Sequence, residues 1–303
     1  MKKTRTTTFR KISMLGFELV AGAHNFHALL EIDITNLRKY LREKRMEGTG
    51  GSLFSLILKT IGKCLQEFPE LNAMADVRHT TYFDEVDINI PIGINKDGEL
   101  YNKQLTIRGI NHKTLKEVDD EIHNAKNAPN EKIGFVESEV GRKVLTILPG
   151  ALVLFFFRML LWNHATIKKY SGTIFVTSVS MFSNIPGYII PYAGGPKAVS
   201  FSIGSTYKKP VVIGNEIAIR EIINITATFN HDLVDGAPAA RFINRFRNLL
   251  EKAYGEEFIQ NHNREHVTDQ LNRVYKIPAD NESARASDAG LESLRELTKN
   301  DSW

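Results

Sequence analysis

The stretch Asn230-His231-Asp232-Leu233-Val234-Asp235-Gly236-Ala237-Pro238-Ala239-Ala240-Arg241-Phe242 decides how this chain is read. Ahead of it, Ile217 to Phe229 is β-branched with partial two-residue alternation, which predicts a strand. Behind it, Ala240, Phe242, Ile243, Phe246, Leu249 and Leu250 recur at helical spacing, so a helix opens within the stretch. Pro238 fits near that helix start, where its missing N–H is not needed. A histidine thus leaves the end of a strand, and an Asp-Gly turn starts a helix. Spacing alone leaves two readings: a histidine set in a cleft for chemistry, or a histidine closing a sheet beside an ordinary turn.

Working outward, the 303 residues are enough for one large or two ordinary domains. Hydrophobic content of 42% and charged content of 24% are those of a soluble globular protein. The net charge of +4 is mild and its basic residues are dispersed, apart from Met1 to Lys11. That argues against nucleic acid as a partner and leaves anionic cofactors open. The single Cys64 excludes an internal disulfide, gives no cysteine-rich metal site and suits a reducing, cytoplasmic setting. It lies in a helical run (Leu56, Ile57, Ile61, Leu65) and reads as core filler. The basic N-terminus lacks the apolar run of a signal peptide.

In chain order, Phe26 to Thr35 predicts a strand and Asn36 to Met46 a helix. A Gly48-Thr49-Gly50-Gly51 loop follows, and then a helix capped by Ser52 that ends at Glu67, before Pro69. Asp87 to Ile94 alternates as a strand, Asn95 to Gly98 is a turn, and Leu105 to Arg108 is a second, short strand. Lys113 to Asn127 is a helix with Leu115, Val118 and Ile122 on one face. Gly172 to Phe182 is a strand running into a loop, and Gly194 to Gly204 a turn and strand. Lys208-Lys209-Pro210 ends that strand, and Asn215 marks a hairpin turn into the segment before His231.

Taken together, His231-x-x-x-Asp235-Gly236 with Ala-Pro-Ala-Ala-Arg-Phe behind it resembles the C-terminal signature of the acyltransferase (E2) subunits of 2-oxo acid dehydrogenase complexes. Chloramphenicol acetyltransferases share that signature. The strand ending Asp-Ile-Thr, Pro69-Glu70-Leu71-Asn72, the strand at Gly172 and the Lys-Pro at 209–210 fall where the family carries them. The resemblance covers residues 8 to 256. It implies an α/β fold, a mixed sheet covered by helices in two layers, with a catalytic domain over 1–258; the polar composition beyond it, with Leu291, Leu294 and Leu297 at weak helical spacing, reads as a tail over 259–303 that is partly helical or disordered. The resemblance also implies a homotrimer with the active site between subunits, base from one and serine from its neighbour.

Acyl transfer from a thioester needs a base for the attacking thiol, hydroxyl or amine, and a donor for the oxyanion. By resemblance His231 is the base, a role that suits a group titrating near neutral pH. Ser178 aligns with the oxyanion serine, with Ser180 and Thr177 as alternatives in register. A strand-end serine satisfying its own backbone is the plain reading of the same residue. Asp235 holds the histidine turn and is expected to pair with Arg10, and Gly236 allows close backbone approach or an unusual dihedral. Lys208 and Lys209 are candidates for contacts to the phosphates of CoA, the expected acyl carrier. No metal is expected. His24, His27 and His79 read as structural or exposed.

Four departures stand out. The family's Asp-His-Arg is Asn230-His231-Asp232 here, and its Gly-Leu-x-x-Pro-Val channel loop is Gly98-Glu99-Leu100-Tyr101-Asn102-Lys103. These residues also include no lipoyl-type module, so a lipoyl group would be acylated only on another protein. The largest departure is Val144 to Trp162, almost wholly apolar, with Phe155-Phe156-Phe157. Pro149-Gly150 and Arg158 argue against a membrane span. A buried or subunit-interface helix is preferred over an interfacial helix or lipid-lined wall, which would make the enzyme peripheral to a membrane and its substrates lipidic. The reading that competes with catalysis is a non-catalytic scaffold built on this core.

Overall fold

The computed structural model describes residues 22–252, except 49, 97–98, 128–148, 162, 181–185 and 192–194, together with 4, 6, 10, 11, 14, 15, 17 and 18. The expectations for the tail beyond 258, for 144–148 and for the turn at 97–98 fall outside these residues. In chain order the elements are β1 (Asn25–Asp33), α1 (Thr35–Met46), α2 (Leu53–Glu67), β2 (Ala73–Ala75), β3 (Thr80–Tyr82), β4 (Ile88–Lys96), β5 (Glu99–Ile107) and α3 (Leu115–Asn127). Then come α4 (Gly150–Leu161), α5 (His164–Ser171), β6 (Ile174–Ser178), β7 (Val199–Ile213), β8 (Glu216–Asn230) and α6 (Gly236–Lys252).

Six strands form one mixed sheet in the order β1-β8-β7-β6-β4-β5. β6 runs parallel to β4 and β7, and the other neighbours are antiparallel. Period-two alternation decides what each face carries. On β8, Ile223, Ile225, Ala227 and Phe229 join the apolar core, as do Phe201 and Ile203 on β7. Helix α6 lays Phe242 and Phe246 on that face, Phe242 at 6.2 Å from Phe229 and Phe246 at 5.6 Å from Phe201, ring centre to ring centre. Each such fully buried phenyl ring contributes about 2 kcal/mol of transfer free energy. The alternate residues Ser200, Ser202, Asn224, Thr226 and Thr228 give the opposite face a buried, polar lining.

The N-terminus of α2 shows how the helices are fixed. Ser52 caps it, its hydroxyl accepting the Ser55 N–H at 3.1 Å. Asp119 of α3 accepts the Ser52 N–H at 2.9 Å and the Ser55 hydroxyl, which places a carboxylate at the positive end of α2. Burial opposes that charge, yet hydrogen bonds from Ser55 and Ser52 hold the Asp119 carboxyl below its ordinary range.

Three local expectations are corrected. β7 does not end at Lys208-Lys209-Pro210 but runs on to Ile213, with Pro210 opposite Ile219. β6 pairs with β7 only as far as Ile203, so beyond it the proline's missing donor faces no ladder. β5 is nine residues long, because its register with β4 continues to Lys96 and Glu99. Of the two preferred settings for the apolar run, burial within its own chain is corrected for the described side chains of α4: Val153 is buried, but Leu152, Phe155 and Met159 face outward. Among the described residues no helix is long and apolar enough to cross a membrane.

Candidate active site

His231 follows the last residue of β8, and Asp235 precedes the first residue of α6, the strand–turn–helix setting expected. Asn230 builds the turn. Its carbonyl accepts the N–H groups of Leu233 and Val234 at 3.0 Å, and its buried side-chain oxygen accepts the Asp232 N–H at 3.0 Å. The His231 N–H donates to the His24 carbonyl at 2.7 Å, which ties the turn to the start of β1. Its ring leans on Phe26, centroids 5.1 Å apart, and Phe26 stacks on Phe229. The imidazole is therefore braced from one side and 58% exposed on the other.

Nδ1 of His231 lies 3.8 Å from Asp235 Oδ1, within ion-pair reach but beyond hydrogen-bond length. Nε2 is then the nitrogen left to meet a substrate proton. The partner of Asp235 is His231 and not Arg10, which is engaged elsewhere. The reason is local: Asp235 stands one residue ahead of α6, its carbonyl accepting the Ala239 N–H, and its carboxylate rests at the positive helix end. Asp232 turns away from His231 and meets Nδ1 of His24 at 2.9 Å, so His24 has a specific place in the turn. Two further histidines have structural partners in reach: His27 with Thr228 at 2.9 Å, and buried His164 with Thr81 at 2.7 Å.

Of the two expectations for Gly236, the unusual dihedral is not found. Its φ is not in the left-handed region, and a Cβ there would meet nothing within 4 Å. Alanine is the better helix former by about 1 kcal/mol. Gly236→Ala is therefore expected to keep or raise the melting temperature, and a lower value in a thermal scan would contradict the open surroundings.

Ser178 is the last residue of β6, half-buried, with its Oγ 2.8 Å from Ser180 Oγ and accepting the Ser180 N–H at 3.3 Å. The two candidate serines thus share one hydrogen-bonded corner, and Thr177 pairs with Ser202 one residue before it. Register fixes where this corner lies. Ser178 is opposite Ile203, and Ile203 is opposite Ile225, six residues short of His231. At ~3.3 Å per residue the serine and histidine of one chain are about 20 Å apart along the sheet, besides two strand spacings across it.

Of the two candidate phosphate contacts, Lys209 is taken: it bonds Glu31 Oε2 at 2.5 Å, and that bond raises its pKa. Lys208 is exposed on the other side of the strand. Among the described residues no cluster of acids, histidines and cysteines could hold a metal ion.

The sequence reading missed Lys197. It stands just ahead of β7, where Asn230 N–H bonds the neighbouring Ala198 carbonyl, and it is buried. Its Nζ donates to Ser171 O and Oγ at 2.5 and 2.8 Å, closing the C-terminal end of α5. Burial, aided by the nearby Arg108 charge, lowers its pKa to about 7. With a folded pKa below the unfolded one, the unfolded chain binds more protons between them, so stability rises with pH above about 7. The expected slope is at most about 1.4 kcal/mol per pH unit, and Lys197→Met should remove it. Urea unfolding at pH 7, 8 and 8.5 checks this; parallel curves for both proteins would contradict it.

Comparison with known proteins follows from this geometry. The family model described as 2-oxoacid dehydrogenases acyltransferase (catalytic domain) matches residues 2–146 and 165–255 and leaves 147–164 unmatched. The lipoamide acyltransferase component of the branched-chain alpha-keto acid dehydrogenase complex of Bacillus subtilis is 25% identical over 230 residues, 74% of this chain and 46% of that protein. The chain spans about half the length of the curated relatives it matches. Among solved structures, the dihydrolipoamide acetyltransferase (E2p) of Azotobacter vinelandii aligns with a TM-score of 0.64 at 16% identity, covering 86% of this chain and 94% of that one. The cubic core of a pyruvate dehydrogenase multienzyme complex aligns at 0.62 and 16%, with the same coverage. These structures share the α/β fold of a mixed sheet covered by helices, and by the extent of the family match the chain belongs to the 2-oxoacid dehydrogenase acyltransferase (catalytic domain) family.

Proposed function

We propose that the chain is an acyltransferase that moves an acyl group between CoA and a thiol acceptor, a dihydrolipoyl group being the favoured one, at sites shared between copies. The observation that carries this reading is the family match over both segments that hold the chemistry, with His231 exposed at the end of β8. His231 Nε2 takes the proton of the acceptor thiol. The thiolate adds to the thioester carbonyl, and the Ser178 hydroxyl of a neighbouring copy donates to the oxygen that gains the charge. When the C–S bond to the leaving thiol breaks, the imidazolium returns its proton to that sulfur.

The separation of Ser178 and His231 supports a site made by two chains. The β7–β8 hairpin reaches beyond β6 on the Ser178 side and exposes Val212, Ile217 and Ile219, each more than two thirds accessible. An apolar ribbon of that kind is what a second copy would cover. The cubic core among the solved relatives is itself an assembly. In the Azotobacter enzyme a serine, a histidine and an asparagine four residues beyond it have been investigated for catalytic roles. Here Ser178, His231 and Asp235 take corresponding types, with a carboxylate in place of the amide.

Calorimetric titration with CoA, acetyl-CoA and longer acyl-CoAs tests the reading. Saturable binding is expected and ranks the acyl lengths. A folded oligomer that binds none of them would turn the reading toward a scaffold.

A further inference from the structure

Helix α4 carries a surface that the acyl-transfer chemistry does not use. It lies within the segment that the family model leaves unmatched. Val153 is the buried anchor, while Leu152, Phe155 and Met159 recur at steps of three and four along one outward stripe, 41, 62 and 53% exposed. The N-terminal segment sits beside it: a Cβ at Gly150 would lie 3.7 Å from Leu15 Cδ2. That segment adds Met14 and Phe17, both more than half exposed.

Charge then decides what covers this surface. Arg158 is exposed within α4, and Lys169, at the end of α5, lies 5.6 Å from the ring of exposed Tyr170. Exposed Lys11 stands on the N-terminal segment, where Glu18 is the one carboxylate among the described residues. We propose that this surface docks on an anionic lipid bilayer, with α4 lying in the headgroup plane. At ~1.5 Å per residue the helix is about 18 Å long, well short of the roughly 30 Å that a span needs. Against a protein partner Arg158 and Lys169 would be desolvated and would each need a carboxylate. Against lipid the Arg158 stem stays with the apolar stripe while its charge, and that of Lys169 on the next helix, reach the phosphates, the pattern of interfacial amphipathic helices. The inference goes beyond acyl transfer and does not depend on it.

Co-sedimentation of the whole protein with phosphatidylcholine–phosphatidylglycerol vesicles, and with phosphatidylcholine alone, tests it. Binding to the anionic vesicles that weakens with salt is expected. Arg158→Glu with Lys169→Glu should weaken it about thirty-fold or more, since each basic residue near an anionic surface contributes about a factor of five. Phe155→Ser with Met159→Ser should abolish it. All four side chains are exposed, and unchanged melting temperatures and sedimentation velocity would show that the variants keep their fold and assembly. No sedimentation of the wild type, or equal binding to neutral vesicles, overturns the proposal. Loss of oligomer mass in Phe155→Ser with Met159→Ser also overturns it, and assigns the surface to a second copy.

Discussion

Replacing His231 by alanine is expected to lower acyl transfer about 10²- to 10⁴-fold, the usual contribution of a positioned general base. The fold should not suffer. The imidazole is more than half exposed, and the bond that ties this residue to β1 is made by its backbone N–H, which alanine keeps. What is lost inside the chain is one tilted contact with Phe26 and a long approach to Asp235. Melting temperature and oligomer mass should therefore match the wild type while the rate collapses. A variant that keeps most of its activity would make His231 the plain sheet-closing histidine that its spacing also allows.

Replacing Ser178 by alanine is expected to cost about 10²- to 10³-fold in kcat, the range for one lost oxyanion donor, with little change in KM. A group that acts on charge present only in the transition state has that signature. Ser180 offers the internal control. Its N–H and hydroxyl both meet Ser178 Oγ, so it is placed to orient that hydroxyl. Ser180→Ala keeps the N–H contact, and less than about a ten-fold loss is expected, since a net neutral hydrogen bond is worth about 1 kcal/mol. If the two magnitudes were reversed, Ser180 would be the donor and Ser178 its support.

Much of the architecture was legible because the elements near the site are long and periodic. The β-branched run before His231, the amphipathic run after it and the Ser52 cap each fix their own local structure, and the strand, helix and cap stand where the spacing puts them. What was not legible depends on contacts distant in sequence. Pro210 looked like a strand end because its ladder partner, or lack of one, is set by how far β6 extends. Gly236 looked conformationally demanding, but only coordinates reveal an ordinary φ and open space around it. Lys197 gave no signal at all, since its burial comes from Ser171 and the end of a helix 26 residues earlier. The apolar run at 150–161 announced a buried face, and hydropathy cannot tell a face covered by its own chain from one awaiting something else. The separation of Ser178 from His231 is likewise a property of strand order, which no local pattern encodes.

That separation is the centre of the account, and co-assembly tests it most directly. His231→Ala and Ser178→Ala chains, differently tagged, are mixed in equal amounts, reassembled, and the doubly tagged oligomers assayed with acetyl-CoA and dihydrolipoamide. If each site takes its histidine from one chain and its serine from another, one of the three sites in every mixed trimer is restored, and activity of the doubly tagged oligomers should recover to about one third of wild type. Mixed oligomers no more active than either variant alone would contradict a site shared between copies.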